Sequence, residues 1–320
     1  MTGAPDVGVV LPRDLPHGQV LEFARRADAL GFDELWVVED LGYRGGIAQA
    51  VAVLAATPRI RVGIGVLPAA ARNPAFAAME IATVAQLFPG RVDLGVGHGM
   101  PGWMRSVGAW PRSPLRLLEE HLTTVRALLR GEQVTTAVPG EVAMSAVRLD
   151  GAVVPDVVPR ILAGVRGPRS LAVSGRVADG TVLAEPCTPE YIRAARAQIA
   201  APGAHRIVAY NVASVHDDPA VAIAQARGAL RWIGEPDFAP HLRPLSFAAE
   251  LAALRARCGS PGEFARELPD AWVAQLALAG TPATVRTRLR ELADAGAASN
   301  VLIVAAPDPL AALEDLARVL

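Results

Sequence analysis

The sequence contains no lysine: all 31 of its basic residues are arginine. This absence excludes mechanisms that need a lysine amine, namely those of a Schiff-base aldolase, a pyridoxal-phosphate enzyme and a P-loop nucleotidase. Cysteine is almost as scarce, and Cys187 and Cys258 stand too far apart to match a metal-binding or disulfide spacing. A reducing cytoplasm is therefore the expected setting of the chain.

The chain also lacks a charge excess and a long apolar run. Its 32 acidic residues nearly balance the arginines and leave a net charge of −1, which gives no electrostatic basis for binding nucleic acid or an anionic membrane. No uncharged apolar stretch reaches the roughly 18 residues of a transmembrane helix. The first residues do not have the pattern of a signal peptide. Aromatic residues make up 5% and hydrophobic residues 52%, so we expect a large core of Ala, Val and Leu.

Short runs of Val, Ile and Leu alternate with longer amphipathic segments, a pattern typical of parallel strands joined by helices. The predicted strands are Asp6–Leu11, Leu35–Val38, Val62–Val66, Val92–Val96, Ile161–Gly164, Gly180–Leu183, Arg206–Val215 and Asn300–Val304. Eight such units favour an α/β fold of the (β/α)₈ TIM-barrel type over a doubly wound sheet. We expect a single domain over residues 1–320, with insertions at about 132–158 and 234–264.

Active sites in such barrels lie at the carboxyl ends of the strands. Glu39 and Asp40 follow the second predicted strand, where two carboxylates orient a cofactor hydroxyl or act as acid or base; a solvated turn is the alternative. His98 stands between Gly97 and Gly99 at the end of the fourth strand. Its imidazole is a candidate proton donor or cofactor ligand, and a structural histidine is the alternative.

Glycines mark two further positions. Gly63 and Gly65 interrupt the third strand and indicate a bulge or the close approach of a ligand, with room for bulky neighbours as the alternative. After the fifth strand, the turn GVRGPRS at 164–170 contains Arg166 and Arg169 and leads into a helix. Backbone N–H groups at a helix start and guanidinium groups bind anions, so this turn predicts a phosphate site. It is not a P-loop, because no Gly-Lys-Ser/Thr motif follows.

Taken together, these segments resemble the bacterial luciferase-like family of flavin-dependent or coenzyme F420-dependent oxidoreductases. The two most specific matches are PRIRVGIGVLPAAARNPAFAAMEIATVAQLFPGRVDLGVGHG at 58–99 and PRILAGVRGPRSLAVSGRVADGTVLAEP at 159–186; shorter ones lie at 30–41, 115–134 and 279–297. The resemblance implies a luciferase-like TIM barrel that holds the cofactor ring at the strand ends. It also implies a non-prolyl cis peptide bond between Gly65 and Val66, and places the cofactor phosphate at the turn 164–169.

The resemblance implies a larger set of cofactor-binding residues: Gly65, Val66, Gly97, His98, Gly99, Gly164, Val165, Arg166, Gly167 and Arg169. The chain departs from the family after the second strand. Many members have an acidic residue followed by histidine there, whereas this chain has Glu39 and Asp40. Part of the missing histidine's role is therefore expected to pass to His98, or the substrate differs. The remaining histidines share no spacing that predicts a metal site.

The resemblance favours hydride transfer between coenzyme F420 and a small organic substrate, with Glu39, Asp40 or His98 moving the accompanying proton. One alternative is an FMN-dependent monooxygenase that receives its reduced flavin from a separate reductase. Another is a barrel that binds flavin without turnover. The family's habit implies a homodimer, whereas the substrate depends on loops that the resemblance does not cover.

Overall fold

The computed structural model of the chain describes residues 5–136 and 140–320. Its strands are buried along most of their length, as expected for a parallel sheet covered by helices. The strands of the described part are β1 Asp6–Val10, β2 Glu34–Val37, β3 Arg61–Pro68, β4 Val92–Gly97, β5 Arg160–Gly164, β6 Gly180–Leu183, β7 Arg206–Val215, β8 Leu278–Gly280 and β9 Ser299–Val304.

The strands form one sheet in the order β6-β5-β4-β3-β2-β1-β9-β7-β8. A further pairing of β6 with β7 closes eight of them into a barrel, so the predicted (β/α)₈ TIM-barrel fold is confirmed. The short strand β8 is an addition to that barrel. Its residues pair in parallel with Ala213, Ser214 and Val215 at the carboxyl end of β7.

The helices of the described part are α1 Val20–Leu30, α2 Gly46–Ala56, α3 Pro74–Leu87, α4 Pro101–Ser106, α5 Pro114–Leu129, α6 Pro168–Val177, α7 Pro189–Ile199, α8 Pro219–Ala229, α9 Ala239–Leu242, α10 Ala248–Arg257, α11 Pro261–Glu267, α12 Asp270–Leu276, α13 Pro282–Ala295 and α14 Pro309–Ala317. Proline often occupies the first helical position, where its missing N–H removes no helical hydrogen bond. Asn73 and Thr281 cap α3 and α13 with their side-chain oxygens. Gly31 ends α1 in the left-handed conformation.

Each of the eight predicted strands lies within two residues of an observed one, the last of them corresponding to β9. The sequence pattern does not predict β8, because three residues carry too little periodicity to mark a strand. It also does not predict α4 or α12, which are six and seven residues long.

The two predicted insertions differ in structure. In the first, residues 132–158, Val134 and Val147 form an isolated antiparallel bridge. Residues 137–139 of this insertion lie outside the described residues. The second insertion, residues 234–264, is largely helical: it contains α9 and α10 and the start of α11.

The chain divides into two compact units, one formed by Met1–Glu34, Leu183–Gln198 and Arg206–Leu320, the other by Leu35–Val182 and Ile199–His205. A single domain over the whole chain stays a prediction. Within the described ranges, no helix is both long and apolar enough to cross a membrane.

A buried ion pair lies at the amino ends of four strands in the first unit. Arg206 Nη2 lies 2.6 Å from Glu34 Oε1 and 2.6 Å from Asp6 Oδ2. Ser299 Oγ donates a hydrogen bond of 2.7 Å to the other oxygen of Glu34. Because these residues begin β1, β2, β7 and β9, the pair joins the starts of four strands by charge-assisted hydrogen bonds.

The second unit has a similar arrangement at the amino ends of its strands. Asp93 on β4 accepts hydrogen bonds from Arg61 at 2.5 Å and from Arg160 at 3.2 Å. These arginines begin β3 and β5, the two neighbours of β4 in the sheet. The polar groups at this end hold the strands in register, and the opposite, carboxyl ends carry the candidate functional residues.

Candidate active site

All of the predicted site residues lie in the second unit, at or just beyond the carboxyl ends of β2, β3, β4 and β5. Strand β3 is irregular there. It pairs with β4 in register up to Ile64 and Leu94, and the register shifts before the next pair, Leu67 and Val96. Gly65 and Val66 therefore form a bulge. They are partly exposed although both neighbours on the strand are buried. The peptide bond between them is cis, as the resemblance implies.

The side chain of Val66 occupies space that two predicted cofactor-binding glycines leave open. A Cβ atom at Gly164 would lie 2.3 Å from Val66 Cγ1, and one at Gly97 would lie 2.8 Å from Val66 Cγ2. Gly63 leaves room for a different neighbour, since an added Cβ there would lie 2.3 Å from the Trp36 ring. For Gly63, room for a bulky neighbour is therefore the correct interpretation, whereas Gly65 belongs to the bulge.

Glu39 is held on both of its carboxylate oxygens. Arg72 Nη1 lies 2.5 Å from Oε1, and Arg72 Nη2 lies 2.9 Å from Oε2. The backbone N–H of Gly46, the first residue of α2, also donates to Oε2 at 2.7 Å. The side-chain hydrogen bonding of Arg72 to the Glu39 carboxylate is the main cause that raises the pKa of Arg72 above its ordinary value. Glu39 thus fixes the loop after β2 to the loop after β3 and to the start of α2.

Asp40 lies beside Glu39 in the same loop and is half-buried. Its backbone carbonyl accepts a hydrogen bond from the N–H of Tyr43 at 2.9 Å, which closes a turn. Leu41 and Tyr43 in this turn expose 45% and 50% of their surface. The turn therefore carries a carboxylate and two apolar groups at the carboxyl end of β2.

His98 follows β4 and joins the starts of two helices. Its Nε2 lies 3.0 Å from the hydroxyl of Ser170 in the first turn of α6, and the ring also hydrogen-bonds the backbone of Pro114 at the start of α5. Burial lowers the pKa of His98 below its ordinary value, and the hydrogen bond to Pro114 opposes this effect only in part. The imidazole is therefore harder to protonate than an exposed one, and it is held by contacts from both sides.

Gly99 has a structural reason to be glycine. Its φ angle is 71°, in the left-handed region that other residues avoid, and an added Cβ would lie 3.0 Å from both Met104 and Pro68. The turn at Gly99 leads from β4 into α4, whose residue Met104 is buried. Contact of Gly99 with a cofactor stays a prediction.

The turn after β5 has the features of an anion site. Gly167 is the N-cap residue of α6 in an extended conformation, no side chain caps the helix, and a Cβ atom at Gly167 would meet nothing within 4 Å. The first N–H groups of a helix have no partner within the helix and carry partial positive charge. Arg169 is exposed and Arg166 is half-buried, whereas Val165 is buried in the core. The phosphate assignment stays a prediction that this geometry fits.

The structure brings together residues that the sequence alone does not pair. His98 meets the turn after β5 through Ser170, and Val66 meets Gly97 and Gly164 across two strands. Glu39 is joined to Arg72 instead, a residue that the sequence does not single out. Ser170 lies within the predicted phosphate turn, and this position is the sequence feature that could have indicated its contact with His98.

The fold and these junctions define a class of (β/α)₈ barrels with a bulged third strand and an open helix start after the fifth. The chain matches the model of the luciferase-like monooxygenase family over residues 6–299, and it belongs to that family. It is similar to a 5,10-methylenetetrahydromethanopterin reductase from Methanolobus tindarius, with 27% identity over 303 residues that cover 89% of this chain and 90% of that protein.

Two solved structures are similar over nearly the whole chain. One is the coenzyme F420-dependent tetrahydromethanopterin reductase of Methanopyrus kandleri, with a TM-score of 0.78, 20% identity and 98% of each chain covered. The other is an F420-dependent secondary alcohol dehydrogenase in complex with an F420-acetone adduct, with a TM-score of 0.76, 19% identity, and 99% of this chain and 98% of that chain covered. At this identity, both likenesses concern the fold.

Proposed function

We propose that the chain is an oxidoreductase that transfers a hydride between coenzyme F420 and a small organic substrate. The observation that carries this proposal is the similarity of almost the whole chain to a reductase, together with a fold shared with two enzymes named as F420-dependent. When bound, F420 would exchange the hydride at C5 of its ring, and the protein would bind and orient the reactants.

The residues at the strand ends fit such a cofactor. The bulge of Gly65 and Val66 presents a partly exposed backbone that would hold a planar ring, and the start of α6 would hold the phosphate. A larger set is proposed to line the cofactor: Gly65, Val66, Gly97, His98, Gly99, Gly164, Val165, Arg166, Gly167 and Arg169. The guanidinium groups of Arg166 and Arg169 supply charge that suits a phosphate.

Glu39, Asp40 and His98 are the three candidate proton carriers, and we assign the proton to Asp40 because it lies half-buried in the turn after β2, at the strand end where this fold places its active sites. The bidentate contact of Glu39 with Arg72, and the contacts of His98 with Ser170 and Pro114, give these two residues a role in holding the loops in place.

An FMN-dependent monooxygenase is the second candidate, and the family's own description as luciferase-like monooxygenases favours it. Such an enzyme takes reduced flavin from a separate reductase, which would then be its partner. The same strand ends and the same phosphate turn would serve FMN.

We also propose that the protein is a cytoplasmic homodimer. The exposed face of α3 supports a dimer, because Phe76 and Met79 expose 65% and 51% of their surface and Leu87 on the same helix exposes 63%. Cys187 and Cys258 are buried free thiols, which suits a reducing compartment. Sedimentation at several protein concentrations tests the dimer.

Titration of the purified protein with F420 and with FMN, followed by chromophore fluorescence, tests the proposed function. We expect F420 to bind and FMN to bind at least about tenfold more weakly, a difference of about 1.4 kcal/mol. Tight FMN binding without F420 binding would reject the proposal. Oxygen uptake with photoreduced FMN would then support the monooxygenase.

A further inference from the structure

The three glycines Gly95, Gly97 and Gly164 surround the side chain of Val66. A Cβ atom on Gly95 would lie 3.1 Å from Val66 Cγ1, one on Gly97 2.8 Å from Cγ2 and one on Gly164 2.3 Å from Cγ1. Contacts below about 3.4 Å are too short for ordinary van der Waals packing. The isopropyl group of Val66 therefore fills the space beside these three glycines, which we call the glycine seat. Backbone oxygens also limit two of them: an added Cβ would lie 2.4 Å from Ile64 O at Gly95 and 2.8 Å from Gly164 O at Gly97.

The glycine seat spans two neighbouring strands in register. Gly97 on β4 is the pairing partner of Gly164 on β5, and Gly95 lies two residues earlier on the same face of β4. Val66 itself belongs to β3, so its side chain reaches across β4 to β5. Gly65 and Val66 are outside the register pairs of β3 with β4, which resume at Leu67. The side chain of Val66 thus contacts β4 and β5 at the point where the register pairs of β3 with β4 are interrupted.

We propose that Val66 is a positioning residue whose packing in the glycine seat sets where the β3 bulge lies against the cofactor ring. This inference rests on the proposed function, since it concerns the depth at which F420 sits. In this view Gly164 and Gly97 act on the cofactor through Val66. The alternative is that these glycines leave room for the cofactor itself.

Two variants separate these views. In Gly164→Ala, the new methyl group collides with Val66 Cγ1 at 2.3 Å, so the bulge must move. In the double variant Gly164→Ala/Val66→Ala that atom is gone, and the remaining Val66 Cβ lies 3.4 Å from the new methyl group, an ordinary contact. If Val66 transmits the effect, the second substitution relieves the first. If the methyl group strikes the cofactor directly, it does not.

The experiment measures F420 affinity by fluorescence titration and the absorption spectrum of bound F420 for both single variants and the double variant. We expect Gly164→Ala to weaken F420 binding about tenfold or more, as for a displaced positioning group. The double variant should bind within about threefold of Val66→Ala, which corresponds to strong coupling in the double-mutant cycle. If the losses of F420 affinity in the two single variants simply add in the double variant, the proposal is overturned.

Gly95→Ala is the matched control for the rescue. Its methyl group would lie 2.4 Å from the backbone carbonyl oxygen of Ile64, an atom that substitution of Val66 cannot remove. Val66→Ala should therefore rescue Gly164→Ala and leave Gly95→Ala unrescued. Rescue of both variants would indicate a general relaxation of the barrel and would contradict the glycine seat.

Val62→Ala controls for a merely structural role. Val62 is a fully buried valine on the same strand, four residues before Val66. We expect Val62→Ala to lower the thermal midpoint while the affinity for F420 and the spectrum of bound F420 stay unchanged. Val66→Ala should alter both. Identical behaviour of the two variants would overturn the positioning role.

Failure of the proposed function gives a different result. If the wild-type protein binds no F420, the proposed function is wrong, yet the cycle can still be read from thermal midpoints. Coupling between Gly164→Ala and Val66→Ala in stability would then support the packing of the glycine seat, and its absence would refute it.

Discussion

Arg72 donates hydrogen bonds to both carboxylate oxygens of Glu39, with N–O distances of 2.5 and 2.9 Å. The pair lies mostly out of solvent, since the side chains of Arg72 and Glu39 expose 26% and 15% of their surface. A carboxylate held in this way serves the structure of the strand ends. The pair of Glu39 and Arg72 joins the loop after β2 to the loop after β3, the strand that contains the bulge.

Glu39→Gln is expected to lower the free energy of unfolding by about 1–3 kcal/mol, because a charge-assisted donor pair loses its anionic partner. Urea unfolding measures this change. Arg72 also lies 3.5 Å from Glu80, whose side chain is 48% exposed, so Glu80→Gln is the matched control. It should cost less than about 0.5 kcal/mol. Equal costs for the two variants would show that the bidentate geometry contributes nothing.

Asp40→Asn should separate catalysis from structure. An asparagine has nearly the same shape but cannot carry the proton, so we expect kcat to fall about 100-fold or more while F420 affinity changes little. The assay follows F420 oxidation or reduction on substrates found by screening small alcohols, carbonyl compounds and pterins. If Asp40→Asn retains full kcat and a His98 variant does not, the proton belongs to His98.

Gly167→Asp tests the phosphate turn with two readouts of opposite sign. Aspartate is a favourable N-cap residue, so the variant should be as stable as the wild type or a few tenths of a kcal/mol more stable. Its negative charge at the open start of α6 should weaken F420 binding by about tenfold or more, with a marked dependence on salt. Thermal unfolding and fluorescence titration measure the two effects.

Gly167→Ala is the control for this variant, since a methyl group there meets nothing within 4 Å. It should bind F420 almost as the wild type does. The deazaflavin fragment that lacks the phosphate-bearing side chain provides a second control, and its affinity should be similar for Gly167→Asp and the wild type. Equal weakening of F420 and this fragment would place the phosphate elsewhere.

The fold follows from the sequence because its determinants are local. Alternating Val-rich runs, the caps at Asn73 and Thr281 and the helix end at Gly31 all act within a few residues. The site depends on contacts between strands, and these are only partly visible in the chain. A resemblance places the bulge at Gly65, but nothing in the spacing shows that Val66 fills the space beside Gly164. Nor does the sequence show that Arg72 would hold Glu39, because that pairing depends on the three-dimensional positions of two loops.

His121 gives a prediction for the pH dependence of stability. It lies on α5, is 2% exposed, and burial lowers its pKa from 6.5 to about 4. The hydrogen bond that the ring donates to the backbone carbonyl group of Ala69 opposes this shift, and the charge of Arg72 adds to it. The unfolded chain therefore binds more protons than the folded one between pH 6.5 and 4. The stability contributed by neutral His121 is complete above pH 6.5 and is lost as the pH falls towards 4. The loss should be about 3 kcal/mol.

His121→Gln removes this titration while the side-chain amide can still donate to the carbonyl group of Ala69. We expect the variant to be less stable than the wild type at pH 7 and the two stability curves to converge as the pH falls to 4, because carboxylates that titrate in the same range contribute equally to both. Leu122→Ala, a fully buried and uncharged neighbour on α5, is the control, and its curve should run parallel to that of the wild type. Urea unfolding at intervals between pH 4 and 7 measures all three curves. A curve for His121→Gln that stays parallel to the wild type would mean that His121 is not the group whose protonation destabilises the folded chain.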